Sequence, residues 1–369
     1  MNDSIVMIVI TLFTHIIVFL ACTFSPYIAP RGIFFGVRLD SKYKKEATIK
    51  PILKTYLLEC TAIFIVILAL TLGYMMRSTD ENQLAFAMTL SPFILMLFCF
   101  IFFVRTHKQI KAFAHTLETP LQQATKTVID TDLMREKDKL RKYFRKLYIL
   151  PLVLIVFSIV YSFINYSTLP ELIPTHWNLW GEADAWQVKT PMTVMMQNIM
   201  QLLLYGVLYY VSDQIFTTRG KLDTADYEES KKALLSYLRG MGYSLYLITV
   251  SIILLFTLTT FSTINGLSFG IGFVIFGLIL PILGSLYMIL IWIKYRKNRL
   301  SDTSYSPEDD ERHWILGSLY YNPDDPSLFI EKRYGIGWTI NIGHPAGKVI
   351  TALTIILILG SIFLPLIVS

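Results

Sequence analysis

Cysteine and charge are both scarce in this chain. Only Cys22, Cys60 and Cys99 occur in 369 residues, each within an apolar run and none in a CxxC, which excludes a disulfide scaffold. Charged residues make up 16%, against about 25% in ordinary soluble domains, so the composition points away from the cytosol. The six histidines form no HxxxH or HExxH, and zinc-protease chemistry has no support. No GxxxxGK[ST] is present, and Gly335-x-Gly337 alone is too short for a phosphate loop. Asp309-Asp310 and Asp324-Asp325 lack the EF-hand spacing, and no serine sits in GxSxG. No metal, cofactor or catalytic residue is therefore expected, and the chain does not read as an enzyme. Disorder is excluded as well, because 24 Phe and 21 Tyr make the chain far too apolar.

What the chain does have is length in its apolar runs. About 20 apolar residues cross a hydrocarbon core of about 30 Å as a helix. Runs at 4–24, 57–76, 84–104, 147–166, 191–212, 242–264, 268–293 and 349–368 meet that length. Lipid offers a backbone no hydrogen-bond partner, so each must be helical. The expected fold is an all-α integral membrane protein of about eight transmembrane helices, with a small cytoplasmic β-hairpin-containing insert before the last. Asn265-Gly266 is a short turn between the sixth and seventh.

Basic residues orient the helices. Thirty-one of the 33 Lys and Arg fall in 25–56, 105–146, 213–240 and 294–348, and the alternate loops hold only Arg77 and Lys189. Eight crossings then place both termini outside a bacterial cytoplasmic membrane. The +6 net charge is this inside bias, and no direct nucleic-acid partner is needed to explain it. The first run carries no basic n-region and reads as a span, with processing at Cys22 disfavoured.

The chain divides into five parts: 1–146, three helices with two basic loops; 147–212, a helix pair with an outer loop at 167–190; 213–300, a connector and helical hairpin; 301–348, a cytoplasmic insert; and 349–369, the last helix. Segment 105–146 reads as one or two helices broken near Pro120, closing in a charge run from Met134 to Lys146 that is expected to be a solvated face beside anionic lipid. Segment 213–240 reads as a short amphipathic connector. In the insert, Trp338, Ile340 and Ile342 alternate with Thr339 and Asn341, the pattern of a strand with one apolar face. Leu328–Arg333 supplies its partner, turning at the glycines. An isolated hairpin is marginal in water, so it should lean on the membrane surface or on loop 25–56.

Polar residues inside spans are costly and therefore informative. His15 lies mid-span in the first run; Gln197, Asn198 and Gln201 lie in the fifth, with Gln197 and Gln201 one turn apart; Glu59 enters the second. Interhelical hydrogen bonding is the favoured reading, with a substrate or ion path as the alternative. No charged residue occupies a span centre, which weakens an ion-coupled pump.

The most distinctive stretch comes after the fourth run. Pro170 and Pro174 stop the helix, residues 173–180 alternate as a short extended segment, Gly181 permits a tight turn, and Asp184 can cap the next helix or bond backbone amides. Leu169, Pro170, Pro174, His176, Trp177, Gly181, Asp184 and Trp186 fit the spacing of the extracellular signature of the SdpI-like family of bacterial membrane proteins, which this stretch resembles. Ala183 departs from the proline that many members carry there. Tyr-Tyr-Asn-Pro-x-Asp-Pro at 320–326 and Lys-Arg-x-Gly-x-Gly-Trp-Thr-x-Asn at 332–341 look like a second uncharacterised domain found with the first, marking Asn322, Asp325, Arg333, Gly335, Gly337, Trp338 and Asn341. Phe35-Gly36-Val37-Arg38 resembles a short FG[IV]R element of the same group.

The resemblance implies sensing of, or immunity to, a membrane-active peptide or envelope signal, with a secreted peptide as ligand and a cytoplasmic regulator as a further partner. It marks Pro174, His176, Trp177, Asn178, Gly181, Asp184 and Trp186 for recognition, with Lys189 expected to be dispensable. The alternative is a transporter or permease-like protein using His15 and Gln197; an uncharacterised membrane enzyme is third.

Overall fold

The computed structural model describes residues 3–29, 33–39, 43, 46–78, 80–117, 130–177, 182–218, 227–267, 271–298, 311–335 and 337–367. Its helices are α1 (Asp3–Phe24), α2 (Ile49–Met75), α3 (Glu81–His115), α4 (Thr131–Leu147), α5 (Ile149–Ile164), α6 (Pro191–Gln214), α7 (Tyr227–Ile264), α8 (Ile271–Asn298) and α9 (Pro345–Ile367). Among the described residues, seven helical stretches are long and apolar enough to cross a membrane, with α4 and α5 counting as one, and these hold the first seven runs. The eighth run lies in α9, which continues to Ile367. Large apolar side chains such as Leu70, Phe163 and Leu357 stay exposed on the helices, as lipid-facing surface requires.

The chain forms two compact units, 1–126 with 300–369, and 127–299. This boundary cuts the expected first part, 1–146. The reason is α4: its charged side chains are tied to α6 and α7, so it packs as part of the second unit.

In the first unit, α1, α2, α3 and α9 carry two tight hairpins and one longer one. β1 (Ile33–Phe34) pairs antiparallel with β2 (Val37–Arg38) through the two-residue turn Phe35-Gly36. Both turn residues have positive φ, 48° and 72°, the backbone of a type I′ hairpin. Phe35 is fully buried and rests edge-on against Tyr56 (4.9 Å) and stacked on Phe103 (5.9 Å). The FG[IV]R-like element is thus a turn tip set into the cluster formed by α2 and α3. Glu59 of α2 is paired with Arg105 of α3, at 2.6 Å for Oε1.

In the second unit, Pro151 has no N–H to return to the Leu147 carbonyl, and the helical pattern is interrupted at Tyr148 between α4 and α5. The sequence break expected near Pro120 lies outside the described residues. Asp130 caps α4 at the Asp132 and Leu133 amides (2.8 and 3.0 Å), and Lys231 of α7 holds that carboxylate well below its usual range. The connector expected over 213–240 is helical from Tyr227 onward, because α7 runs 38 residues. α7 and α8 form the expected hairpin, with Gly266 at positive φ in the turn.

Candidate functional site

The signature stretch between α5 and α6 folds as a β-hairpin. β3 (Leu172–Trp177) pairs antiparallel with β4 (Ala183–Val188), and the register shifts on either side of His176. β3 agrees with the extended segment read from the sequence; β4 has no counterpart in that reading. Bulges re-aim side chains, and here His176 Nδ1 comes to 2.6 Å from Asp184 Oδ1. With an ionised carboxylate as acceptor, Nδ1 is the donor. Both side chains are exposed. Asp184 therefore does not cap α6; Thr190 does, accepting from the Thr193 amide at 3.0 Å. Asn178 and Gly181 lie outside the described residues.

A two-stranded hairpin needs an anchor. Ile173 supplies one, buried with Leu169 and Val194 against Tyr166 and Ile264. Lys189 supplies another: its Nζ donates to the Leu169 carbonyl (2.7 Å) and lies 5.6 Å above the Tyr166 ring. Lys189, expected to be dispensable, thus helps to hold the hairpin in place. Leu172, Trp186 and Val188 are more than half exposed. Beneath the hairpin is a cleft of about 60 Å³ whose lining includes Ile173, Pro174, Thr175, Ser162, Gln197 and Thr260.

Below the cleft, α5, α6 and α7 meet along a polar seam. Gln197 Oε1 accepts from Thr260 (3.0 Å). Asn198 accepts from Ser158 (2.6 Å) and donates to Ser162 (3.1 Å). Gln201 donates to the Ile253 carbonyl (3.1 Å) and to Thr257 (2.9 Å). Interhelical bonding is therefore what these three residues do, and Ser158, Ser162, Thr257 and Thr260 are partners that sequence reasoning does not single out. Their spacing on one helix face is the available signal. His15 is buried in the other unit, its Nδ1 2.8 Å from the Thr11 carbonyl oxygen on its own helix. Gln197 belongs to the second unit.

At the far end of α6, Asp213 is held by two arginines of α4. Arg141 Nε and Arg145 Nε donate to the same carboxylate oxygen at 2.9 and 2.6 Å, and each arginine also reaches the other oxygen. Lys137 bonds the Thr218 carbonyl. Lys137, Arg141 and Arg145 recur every four residues and share one face. The charge run is thus not merely a solvated face: Arg135, Lys139 and Lys142 pair with acids on α4 itself.

The C-terminal insert completes the first unit. β5 (Trp314–Ile315) pairs with β6 (Leu319–Tyr320), and β7 (Phe329–Glu331) pairs antiparallel with β8 (Trp338–Ile340). This is the hairpin expected at the glycines, and Gly335 and Gly337 have positive φ. It leans on loop 25–56, as expected: Arg333 donates to the Gly36 carbonyl (2.7 Å) and Gly335 N to the Ile28 carbonyl (2.5 Å). The expected apolar strand face is only half-buried, and the most buried side chain here is Asn341. Its Oδ1 accepts from the Asn322 and Gly343 amides (2.9 and 3.0 Å), and its Nδ2 donates to the carbonyls of Asn322, Asp325 and Ser327. Asp325 in turn accepts from Tyr320 and the Ser327 amide, Asn322 closes a turn at the Asp324 amide, and Arg333 lies 5.6 Å from the Trp314 ring. These motif residues hold the insert together.

Two family models match the chain, both of unknown function: DUF1648 over residues 153–200 and DUF5808 over residues 323–348. The first spans most of α5, the β3–β4 hairpin and the start of α6; the second spans the Asn341 hub and the β7–β8 hairpin. No curated protein and no solved structure matches the chain. The protein is a polytopic, mostly helical membrane protein that contains two uncharacterised domains.

Proposed function

We propose that this is an SdpI-like receptor of the bacterial cytoplasmic membrane, sensing or conferring immunity to a membrane-active peptide or envelope signal through the β3–β4 hairpin. The observation that carries this reading is the exposed His176–Asp184 pair at one end of a hairpin that also exposes Leu172, Trp186 and Val188 over a cleft. An amphipathic peptide lying at the interface presents apolar and charged groups at this level. Residues 171–189 carry Glu171, Glu182 and Asp184 against the single basic residue Lys189, a net negative charge that complements a cationic peptide. The role is recognition rather than catalysis. The bonding of Gln197, Asn198 and Gln201 to groups on α5 and α7 favours this over a transport path. A cytoplasmic regulator would meet the inner face, where the basic loops and the C-terminal insert lie in this topology.

His176→Ala and Asp184→Ala are expected to keep normal membrane levels and to lose most protection against a panel of antimicrobial peptides. Gln187→Ala, at an exposed neighbour, is the control and should retain it. The check is expression by blot beside survival in the same strains; full survival of both site variants at normal levels would discard the receptor reading.

The orientation has its own test. Cysteine-accessibility reporters at 80 and 180 should label from outside, and those at 40, 125, 225 and 320 should not. Labelling of 180 from the inside alone would reverse the assignment.

A further inference from the structure

We propose that α6 is a mechanical link between the hairpin and α4, so that engagement of the hairpin at one end of the helix moves the charged α4 at the other. Three observations converge. First, α6 is one uninterrupted helix from the Thr190 cap, two residues after β4, to Asp213, a rise of about 35 Å at about 1.5 Å per residue. A displacement of the hairpin is passed to its first turn through Lys189 and Thr190. Second, the face of α6 turned to α5 and α7 is joined by hydroxyls and amides, through Gln197, Asn198 and Gln201, rather than only by interlocked apolar side chains. Gln201 Oε1 is buried and has no partner. The seam therefore holds an unused acceptor, and a small rotation of α6 can exchange bonds without leaving donors stranded. Third, the receiving end is built to respond. Lys137, Arg141 and Arg145 grip Asp213 and Thr218 from one stripe of α4, and Phe144 between them stacks on Phe216 (5.3 Å). α4 joins α5 at Tyr148, where Pro151 removes a helical hydrogen bond while Tyr148 N still donates to the Phe144 carbonyl (3.0 Å), so a movement of α4 is carried into α5.

This link takes its meaning from the receptor reading, but its test needs no ligand, because coupling between two sites is reciprocal. The full-length protein in lipid nanodiscs is monitored by amide hydrogen exchange. Asp213→Asn removes the charge that holds α4 and should speed exchange over residues 172–188 about fivefold or more, the lower end of ordinary allosteric coupling. Arg141→Lys, which keeps the charge but loses the fork, should give a smaller change of the same sign. In the reverse direction, His176→Ala should speed exchange over residues 131–147. Glu59→Gln, which breaks an ion pair of the other unit, should change neither segment. If Asp213→Asn and Arg141→Lys alter only α4, or if His176→Ala leaves α4 unchanged, the link does not exist. That result is independent of the survival assay, so either reading can fail while the other stands.

Discussion

Asn341→Ala is expected to unfold the C-terminal insert while the membrane helices stay folded. The alanine would strip two acceptor contacts from the Asn322 and Gly343 amides and three donor contacts from the carbonyls of Asn322, Asp325 and Ser327. A buried polar group left without a partner costs about 1–3 kcal/mol, and several are orphaned at once in a segment whose apolar core is the small cluster of Trp314, Tyr320 and Ile330. Gly343 and Gly347 leave no slack for collapse, since a Cβ on Gly347 would already overlap the Asn341 carbonyl oxygen. Limited proteolysis should therefore cut within 311–344 in the variant and not in the parent. Asn341→Asp keeps the acceptors but loses the donors, and should fall between the two. If Asn341→Ala resists protease as well as the parent does, the hub contributes little and the insert is held by its contacts with loop 25–56.

The membrane helices are legible in the sequence because lipid imposes one rule on every span and that rule depends on length and composition alone. The β7–β8 hairpin is legible for a similar reason, since positive-φ glycines and period-2 alternation are local. Asn341, by contrast, reads as the outward, polar side of a strand. Its burial is decided by carbonyls up to 19 residues away, which no local period records. The stripe of Lys137, Arg141 and Arg145 is visible as a charge run, but Asp213, its partner, lies 68 residues or more along the chain, so the run reads as solvated. At the candidate site, His176 and Asp184 stand out by spacing. Their direct contact depends on two register shifts, and bulges leave no residue pattern that separates them from regular strand. Lys189 illustrates the same limit: a lysine in a loop reads as surface until a carbonyl and an aromatic ring are found beneath it.

Gly36→Ala is expected to release the insert from the helices, and the physical reason separates two effects that glycine positions usually mix. Gly36 has φ of 72°, where a side chain costs about 1 kcal/mol. Its Cβ would also overlap the Gly317 carbonyl oxygen and lie 2.9 Å from Gly317 Cα. The Gly317 backbone cannot withdraw toward α3, because it already lies against the His107 ring: a Cβ there would be 2.5 Å from Nδ1, the atom bonded to the Phe35 carbonyl at 2.8 Å. The two turn tips must therefore part, and parting them strains the Arg333 bond to Gly36 and the Gly335 bond to Ile28. Gly337→Ala is the matched comparison. Its φ is 89°, but nothing lies within 4 Å of the added Cβ, so it carries the backbone cost alone. Gly36→Ala should lower the thermal midpoint of the insert by several degrees more than Gly337→Ala and expose residues 311–335 to protease. Equal effects of the two substitutions would mean that the tips are not tightly apposed and that the insert is free to separate from loop 25–56.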